Sequence, residues 1–387
     1  MISKLRIGVL VIILNFFASV ATTWGQVENP SLLQMAVPSL NIAPDARGGG
    51  MGDMGAATLP DINSQYWNAA KYAFMGSKAG VSLSYTPWLR KLVNDVALVN
   101  MTGYYKLGNS DLQAISASLR YFSLGEVRIW RSIGDIPIGM NPYEMAFDVA
   151  YSRKLSESYS MAVTLRYIRS DMGTDQNEES NAGNAFSADI SGYLEKYVLM
   201  GNAEALWSFG FNLSNIGSKI SYDGVIRTST FRQKLTLGTG LLYPIDDYNQ
   251  IGVYLDLNKY MVPYAPQKEE GETDADYQTR VDDYKSWSSL SGMLKSFTDS
   301  PNGLLKEIMV SVGAEYSYNQ QFFVRGGYFY ENANVGNRKY FSVGAGFRMS
   351  VFQLDAAYLI STVPQNPLDQ TLRFSCLLIW TGSRTCS

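Results

Sequence analysis

The stretch Tyr159-Ser160-Met161-Ala162-Val163-Thr164-Leu165-Arg166-Tyr167-Ile168-Arg169-Ser170 sets large apolar residues against small or polar ones along most of its length. Successive side chains of a strand point to opposite faces, so Tyr159, Met161, Val163, Leu165 and Tyr167 share one face. Ser160, Ala162, Thr164, Arg166 and Ser170 fall largely on the other. The pattern recurs along the chain. Ile115, Ala117, Leu119 and Tyr121 oppose Ser116, Ser118 and Arg120, and Met145, Phe147, Val149 and Tyr151 oppose Ala146, Asp148 and Ala150. Later, Phe341, Val343, Ala345 and Phe347 oppose Ser342, Gly344, Gly346 and Arg348, and Leu372, Phe374, Cys376, Leu378 and Trp380 oppose Arg373 and Ser375.

A soluble β-sandwich also alternates, so segment number and connection length decide between the two. About fourteen segments occur, beginning near Val81, Val96, Leu112, Glu144, Tyr159, Ala185, Ala205, Arg232, Gln250, Ile308, Gln321, Lys339, Phe352 and Gln370. Each is near the roughly 9 to 11 residues that a tilted membrane strand needs. Long connections (86–95, 125–142, 171–184, 215–231, 259–307) alternate with short ones (107–110, 154–158, 319–320). Bacterial outer-membrane barrels show this asymmetry, with short periplasmic turns and long extracellular loops. The fold expected is an all-β, 14-stranded transmembrane antiparallel barrel over 79–387 with both termini on the periplasmic side. A charge on the lipid face would cost about 2 to 4 kcal/mol at the midplane. Arg120, Arg166, Lys234, Arg325, Arg348, Arg373, Asp148, Asp189, Asp256, Glu315 and Asp355 all fall on the polar face instead. Such charges suit either a conduit or a balanced network around an occupant.

Composition removes several function classes. Charged residues make up 17% of the 387 and aromatics 13%, with 26 Tyr and 7 Trp, which suits two membrane interfaces. The net charge is -3 and the basic residues are scattered, so no nucleic-acid footprint exists. There is no histidine at all. A serine or cysteine nucleophile usually needs an imidazole base, and zinc usually needs imidazole or several thiolates, so no catalytic residue, cofactor or metal is expected. Cys376 and Cys386 leave a disulfide open. Lys4 and Arg6 precede the apolar run Ile7 to Phe17, followed by Ser19 and Ala21, which reads as a signal peptide over 1–25.

Residues 26–78 read as a proline-punctuated lead-in and a plug. The run Asp45 to Ala57 holds Gly48, Gly49, Gly50, Gly52 and Gly55, which weaken a helix or strand but allow close backbone approach, and it leads to Gln65-Tyr66-Trp67-Asn68. The plug residues of interest are Arg47, Gly49, Gly50, Gly52, Trp67 and Asn68. In the connection 259–307, Tyr277, Val281, Tyr284, Trp287, Leu290, Leu294 and Phe297 recur at helical spacing after a Thr273/Asp276 cap, predicting an amphipathic helix stopped by Pro301, Asn302 and Gly303. Its stripe either folds onto the barrel rim or docks a partner. The connection 125–142 is apolar for a solvent loop, and Tyr85, Pro87, Trp88 and Leu89 top the first strand. Trp88, Ile129, Trp130, Ile133, Ile136 and Trp287 are therefore candidate partner-binding residues, against the alternative of loop packing and an aromatic girdle.

The strings Ala46-Arg47-Gly48-Gly49-Gly50-Met51-Gly52 and Tyr66-Trp67-Asn68-Ala69-Ala70 are similar to the N-terminal hatch of the long-chain fatty-acid transporter family, whose members are fourteen-stranded outer-membrane barrels. Ser84-Tyr85-Thr86-Pro87-Trp88-Leu89-Arg90, Ser118-Leu119-Arg120-Tyr121-Phe122-Ser123-Leu124-Gly125-Glu126, Ala150-Tyr151-Ser152-Arg153-Lys154-Leu155 and Leu165-Arg166-Tyr167-Ile168-Arg169-Ser170-Asp171 resemble, more specifically, the PorV family of the type IX secretion system. Over most of the mature chain, that resemblance implies a non-enzymatic carrier in the cell outer membrane. Its implied partners are secreted cargo with type IX C-terminal domains, the translocon barrel, a sortase-like attachment complex and outer-membrane lipid. One departure is Asn68-Ala69-Ala70, where the transporter hatch has Asn-Pro-Ala; alanine leaves free a backbone angle that proline fixes, which weakens the carry-over of a hatch-opening mechanism. The alternative reading is transport of long-chain fatty acids or other hydrophobic small molecules. A third, lipid hydrolysis, follows from the O-deacylase label that this family has also carried. It would have to run on lumen carboxylates such as Asp148 and Asp189, and the missing imidazole argues against it.

Overall fold

The alternating segments pair edge to edge into a closed antiparallel ring in the computed structural model, which describes residues 36–90, 93, 95–108, 111–129, 137–172, 182–220, 233–269, 271–298, 300, 303–363 and 368–381. The strands run β1 (Ala79–Pro87), β2 (Ala97–Leu107), β3 (Gln113–Ser123), β4 (Val127–Ile129), β5 (Ile138–Met140), β6 (Tyr143–Lys154), β7 (Tyr159–Asp171) and β8 (Gly183–Met200). There follow β9 (Ala203–Gly217), β10 (Lys234–Pro244), β11 (Asn249–Tyr260), β12 (Ile308–Tyr318), β13 (Phe322–Tyr330), β14 (Lys339–Met349), β15 (Phe352–Ser361) and β16 (Leu372–Trp380). Fourteen of these form the ring, each paired with its sequence neighbours, and β1 against β16 closes it from Ala79 opposite Trp380 to Tyr85 opposite Phe374. The pair β4 and β5 stands apart as a hairpin within the connection 124–142, between β3 and β6. Each ring strand begins within two residues of the position read from the sequence.

Facing follows the alternation. In β7, Val163 and Leu165 are exposed on the outside while Ser160, Thr164 and Arg166 are buried inside. The outer wall repeats this around its circumference, with Leu83, Met101, Ile115, Leu119, Phe147, Val149, Val253, Val312 and Val343 exposed. An apolar belt of that extent faces hydrocarbon, since a water-soluble monomer does not expose one. No helix among the described residues is long and apolar enough to cross a membrane. β8 and β9 are longer than a span requires, at 18 and 15 residues, and project Tyr197 and Leu199 beyond the short-turn rim.

The plug fills the ring. A 3-10 turn over Pro38–Asn41 is followed by α1 (Ala46–Gly49), α2 (Ser64–Trp67) and a 3-10 stretch over Ala69–Phe74. Ala36, Val37 and Leu40 pack with Ala146, Ile168 and Ala185, at the long-loop ends of their strands, and with Ile220 just past β9, and Ser39 N–H donates to Glu144 Oε2 at 3.0 Å. The chain therefore starts its lumen path at the long-loop rim and reaches the short-turn rim only where Lys78 N–H bonds Trp380 O at 3.0 Å and β1 begins. Trp380 lies at the short-turn rim and Ala36 at the long-loop rim; the two termini themselves lie outside the described residues. Periodicity locates strands but says nothing about which end a non-repeating segment enters. The signal segment 1–25 lies outside the described residues.

Candidate functional site

The plug is held because its backbone comes within contact of the wall. Gly52 sits at φ 84°, a region that L side chains avoid, and a Cβ there would stand 2.9 Å from Tyr328 O. From the wall side, a Cβ on Gly327 would stand 2.1 Å from the Met51 carbonyl carbon, so glycine is required on both partners of this contact. Gly49 and Gly50 approach Arg373 and Gly344 respectively. Asp45 caps α1, accepting from Gly48 N–H at 2.8 Å and from Trp67 Nε1–H at 2.7 Å, which ties the plug's two helices together. Asn68 uses its whole amide: Nδ2 donates to Ala56 O and to Gly192 O of β8, both at 2.9 Å, and Oδ1 accepts from Ala70 N–H.

A ladder of buried charges joins plug to wall. Arg47 donates to Glu315 in two-pronged fashion (3.0 and 2.8 Å), to Asp61 at 2.8 Å and to Leu59 O at 2.9 Å. Glu315 is shared with Arg325 at 2.6 Å, and Arg325 reaches Asp355 at 2.6 Å. On the other side, Arg373 pairs with Asp53, which also accepts from Tyr340 Oη–H at 2.6 Å. Arg120 donates to Ser39 O and Ile42 O, and its guanidinium stacks 4.7 Å from the Tyr66 ring centroid. Asp256 accepts Gly55 N–H and Ala56 N–H. Of the two open readings of the lumen charges, this arrangement is the network and not the conduit: nearly every buried charge has a geometric partner. Asp148 and Asp189, the carboxylates on which a hydrolase would depend, are both consumed by Arg166 at 2.7 and 2.8 Å.

Voids bordering Tyr66 towards the long-loop rim measure about 20 and 30 Å³, room for a water or two. Beneath the plug, by contrast, a vestibule of about 590 Å³ opens between Leu59, Ile62, Asn63, Phe323, Arg348 and Leu377. Asn63 is buried at its upper wall, and its side-chain amide has no hydrogen-bond partner among the described residues.

At the long-loop rim, Trp88 is half-buried against Ile42, Val96, Leu98 and Phe122, so it clamps the lead-in as well as topping β1. Ile129 belongs to β4, opposite Ile138; Trp130, Ile133 and Ile136 lie outside the described residues. The connection 261–307 holds two helices where periodicity predicts one: α3 (Asp274–Ser286) and α4 (Ser289–Lys295). Thr273 caps the first as expected, accepting from Asp276 N–H at 3.2 Å. Extended backbone at Trp287 breaks the run, and Ser288 caps the second helix, accepting from Ser291 N–H. Trp287 is half-buried, edge-on to Tyr284 and with Lys295 Nζ 3.4 Å from its ring centroid. The Arg280 guanidinium, hydrogen-bonded to Glu272, holds that carboxyl below its ordinary range. Trp88 and Trp287 thus lie on separate parts of the rim. Sequence reading missed Lys259, an outward-facing lysine, and Asn63; the first signals itself by breaking the apolar parity of β11.

Residues 26–268, well over half of the chain, match the family described as type IX secretion system protein PorV. No curated protein matches the sequence. Among solved structures, the Pseudomonas putida toluene transporter TodX is similar at 10% identity and TM-score 0.51, over 91% of this chain and 99% of that one. The Ralstonia pickettii toluene transporter TbuX follows at 10% identity and TM-score 0.47, over 89% and 100%. A Pseudomonas aeruginosa FadL homologue has 11% identity and TM-score 0.43, over 89% and 99%. At such identity, TodX speaks to the plugged-barrel fold alone, and the two lower scores add nothing to it.

Proposed function

Because the chain belongs to the family of type IX secretion system protein PorV and is an outer-membrane barrel, we propose that it is a non-enzymatic carrier in type IX protein secretion. In this reading it takes secreted cargo by the cargo's C-terminal domain at the translocon and passes it to a sortase-like attachment complex on the cell surface. The observation that carries the proposal is the occupied lumen. With Arg47, Asp53, Asn68 and Asp256 bonded to the wall, the ring offers no passage, so the work falls to the extracellular rim. There the docking surface has two parts, Trp88 with the β4–β5 hairpin at Ile129, and Trp287; Trp130, Ile133 and Ile136, which follow Ile129 in sequence and lie outside the described residues, complete the candidate set. Large aromatic and branched side chains of this kind carry most of the energy of protein contacts.

The test replaces residues 125–142 and 259–307, singly and together, by short polar linkers and measures cargo co-isolated from solubilised membranes. Capture should fall sharply with the double replacement; undiminished capture would remove this face from the proposal.

A second reading, transport of a hydrophobic small molecule, is favoured by the vestibule and its unpartnered Asn63 amide. It requires the plug to move. A disulfide between Gly50→Cys and Gly344→Cys, where a Cβ on either residue would stand 3.2 Å from the other's Cα, in a background lacking Cys376 and Cys386, separates the two. Secretion that persists with the plug locked supports the carrier, whereas uptake of a long-chain fatty acid that is lost on locking supports the transporter.

A further inference from the structure

Lys259 occupies an outward position of β11, in register with Val253 and Leu257, whose residues are 50% and 38% exposed on the lipid-facing wall. Its own side chain is only 8% exposed. What covers it comes from the far end of the same connection: the Phe297 ring centroid lies 5.5 Å from Nζ, and Glu307 Oε2 lies 2.6 Å away, with Ser300 Oγ donating to the other Glu307 oxygen. Phe297, Ser300 and Glu307 therefore lie over the outside of the wall. A bare ion pair there would face hydrocarbon, and the aromatic ring shields it.

The same connection also carries an exposed apolar stripe. In α4, Gly292 and Met293, with Ser296 just after it, are buried, with Gly292 near Pro263 and Ser289 Oγ bonded to Gly217 O of β9. Leu290 and Leu294, at i and i+4, point the other way, exposed by 62% and 73%. Leu304 and Leu305 extend the patch, Leu305 at 83%, directly before β12 enters the lipid-facing belt at Ile308. Lys295 and Lys306 adjoin the leucines at 294 and 305.

We propose that α4 and the turn over Leu304–Glu307 form an interfacial anchor, with Leu290, Leu294 and Leu305 in the acyl boundary of the outer leaflet and Lys295 and Lys306 at its phosphates. Continuity with the apolar belt supplies the position, and leucines flanked by lysines supply the chemistry of a surface-lying helix. The anchor adjoins Trp287, on whose ring Lys295 Nζ stacks, and it does not depend on the carrier reading. It fixes the base of the long connection against the membrane plane.

The experiment uses the full mature chain with Cys376→Ser and Cys386→Ser, reconstituted in nanodiscs containing phosphatidylglycerol. Nitroxide labels are placed singly at Leu294→Cys and Leu305→Cys, with Val253→Cys as the lipid reference and Gln278→Cys on α3 as the aqueous one. Collision with oxygen is compared with collision with a water-soluble nickel chelate. Both test labels should favour oxygen several-fold over the aqueous reference, as Val253→Cys does. Nickel-favoured labels, meaning a stripe standing in water ready for a protein, would overturn the anchor. So would labels shielded from both reagents, meaning contact with a second copy. Heat-modifiable mobility on gels confirms that each labelled barrel is folded, so an aqueous signal cannot be ascribed to unfolding.

Discussion

Replacing Arg47 by methionine tests whether the charge ladder, and not merely the plug's shape, keeps the lumen closed. The guanidinium is buried and donates to Glu315, Asp61 and Leu59 O. Breaking a buried ion pair by removing one partner costs about 3 to 5 kcal/mol, because the survivor is left uncompensated. Glu315 keeps Arg325, and the Asp61 side chain is 15% exposed, so both survivors retain some compensation. The expected cost is therefore at the lower end, about 3 kcal/mol, a large part of the roughly 5 to 15 kcal/mol that holds a typical domain together. The assay is equilibrium unfolding in denaturant of the detergent-solubilised protein, followed by tryptophan fluorescence, for Arg47→Met, Glu315→Gln and the pair. Residues sharing one network should couple by about 1 to 3 kcal/mol. In parallel, Arg47→Met should raise ion conductance across a planar bilayer as the plug loosens. A loss under about 1 kcal/mol with additive single effects would refute the reasoning, since it would mean the ladder contributes nothing beyond packing.

Gly52→Ala should lower stability by about 1 to 3 kcal/mol in the same assay, because φ is 84° and the added carbon meets Tyr328 O at 2.9 Å; a neutral result would contradict the close approach. Lys259→Ala should speed amide exchange across residues 289–298 by leaving Glu307 covered and unpaired, and adding Glu307→Ala should slow it again; equal exchange in both variants would argue against the ion pair. Glu272 should titrate below 4.5 by carboxyl NMR, since hydrogen bonds from Arg280 lower its value. A depressed folded-state value means that its contribution to loop order is present above 4.5 and fades as the pH falls through the folded value, so Arg280→Gln should abolish that acid dependence.

Strand positions were legible because facing residues must differ wherever one side meets lipid: a slip by one residue in β7 would turn Arg166 into hydrocarbon and Leu165 into the lumen. The plug was legible from its glycines, which weaken long helices and strands; within Asp45–Ala57 only the single turn α1 forms. What periodicity could not supply is partner identity. That Arg47 would meet Glu315, or Asn68 the carbonyl of Gly192, depends on register across more than a hundred residues. The break at Trp287 was hidden because Ser288 looks like any polar helix position until its hydroxyl caps Ser291. The rim at which residue 36 enters was not legible for the same reason, as lead-in residues carry no repeat to orient them. Among the candidate partner residues, Trp88 shows how an aromatic that reads as an anchor also serves as packing, against Ile42.

Residues 36–78 pass through a ring whose seam is hydrogen-bonded from Ala79 opposite Trp380 to Tyr85 opposite Phe374. A thread already lying in a hoop constrains how the hoop was made. Either the last seam zips around the gathered N-terminal segment, or a free end is drawn through a finished cylinder against every polar group lining it. The first route makes the order of biogenesis part of the architecture: the stopper must be present before β1 meets β16, and no later event can install it without reopening that join.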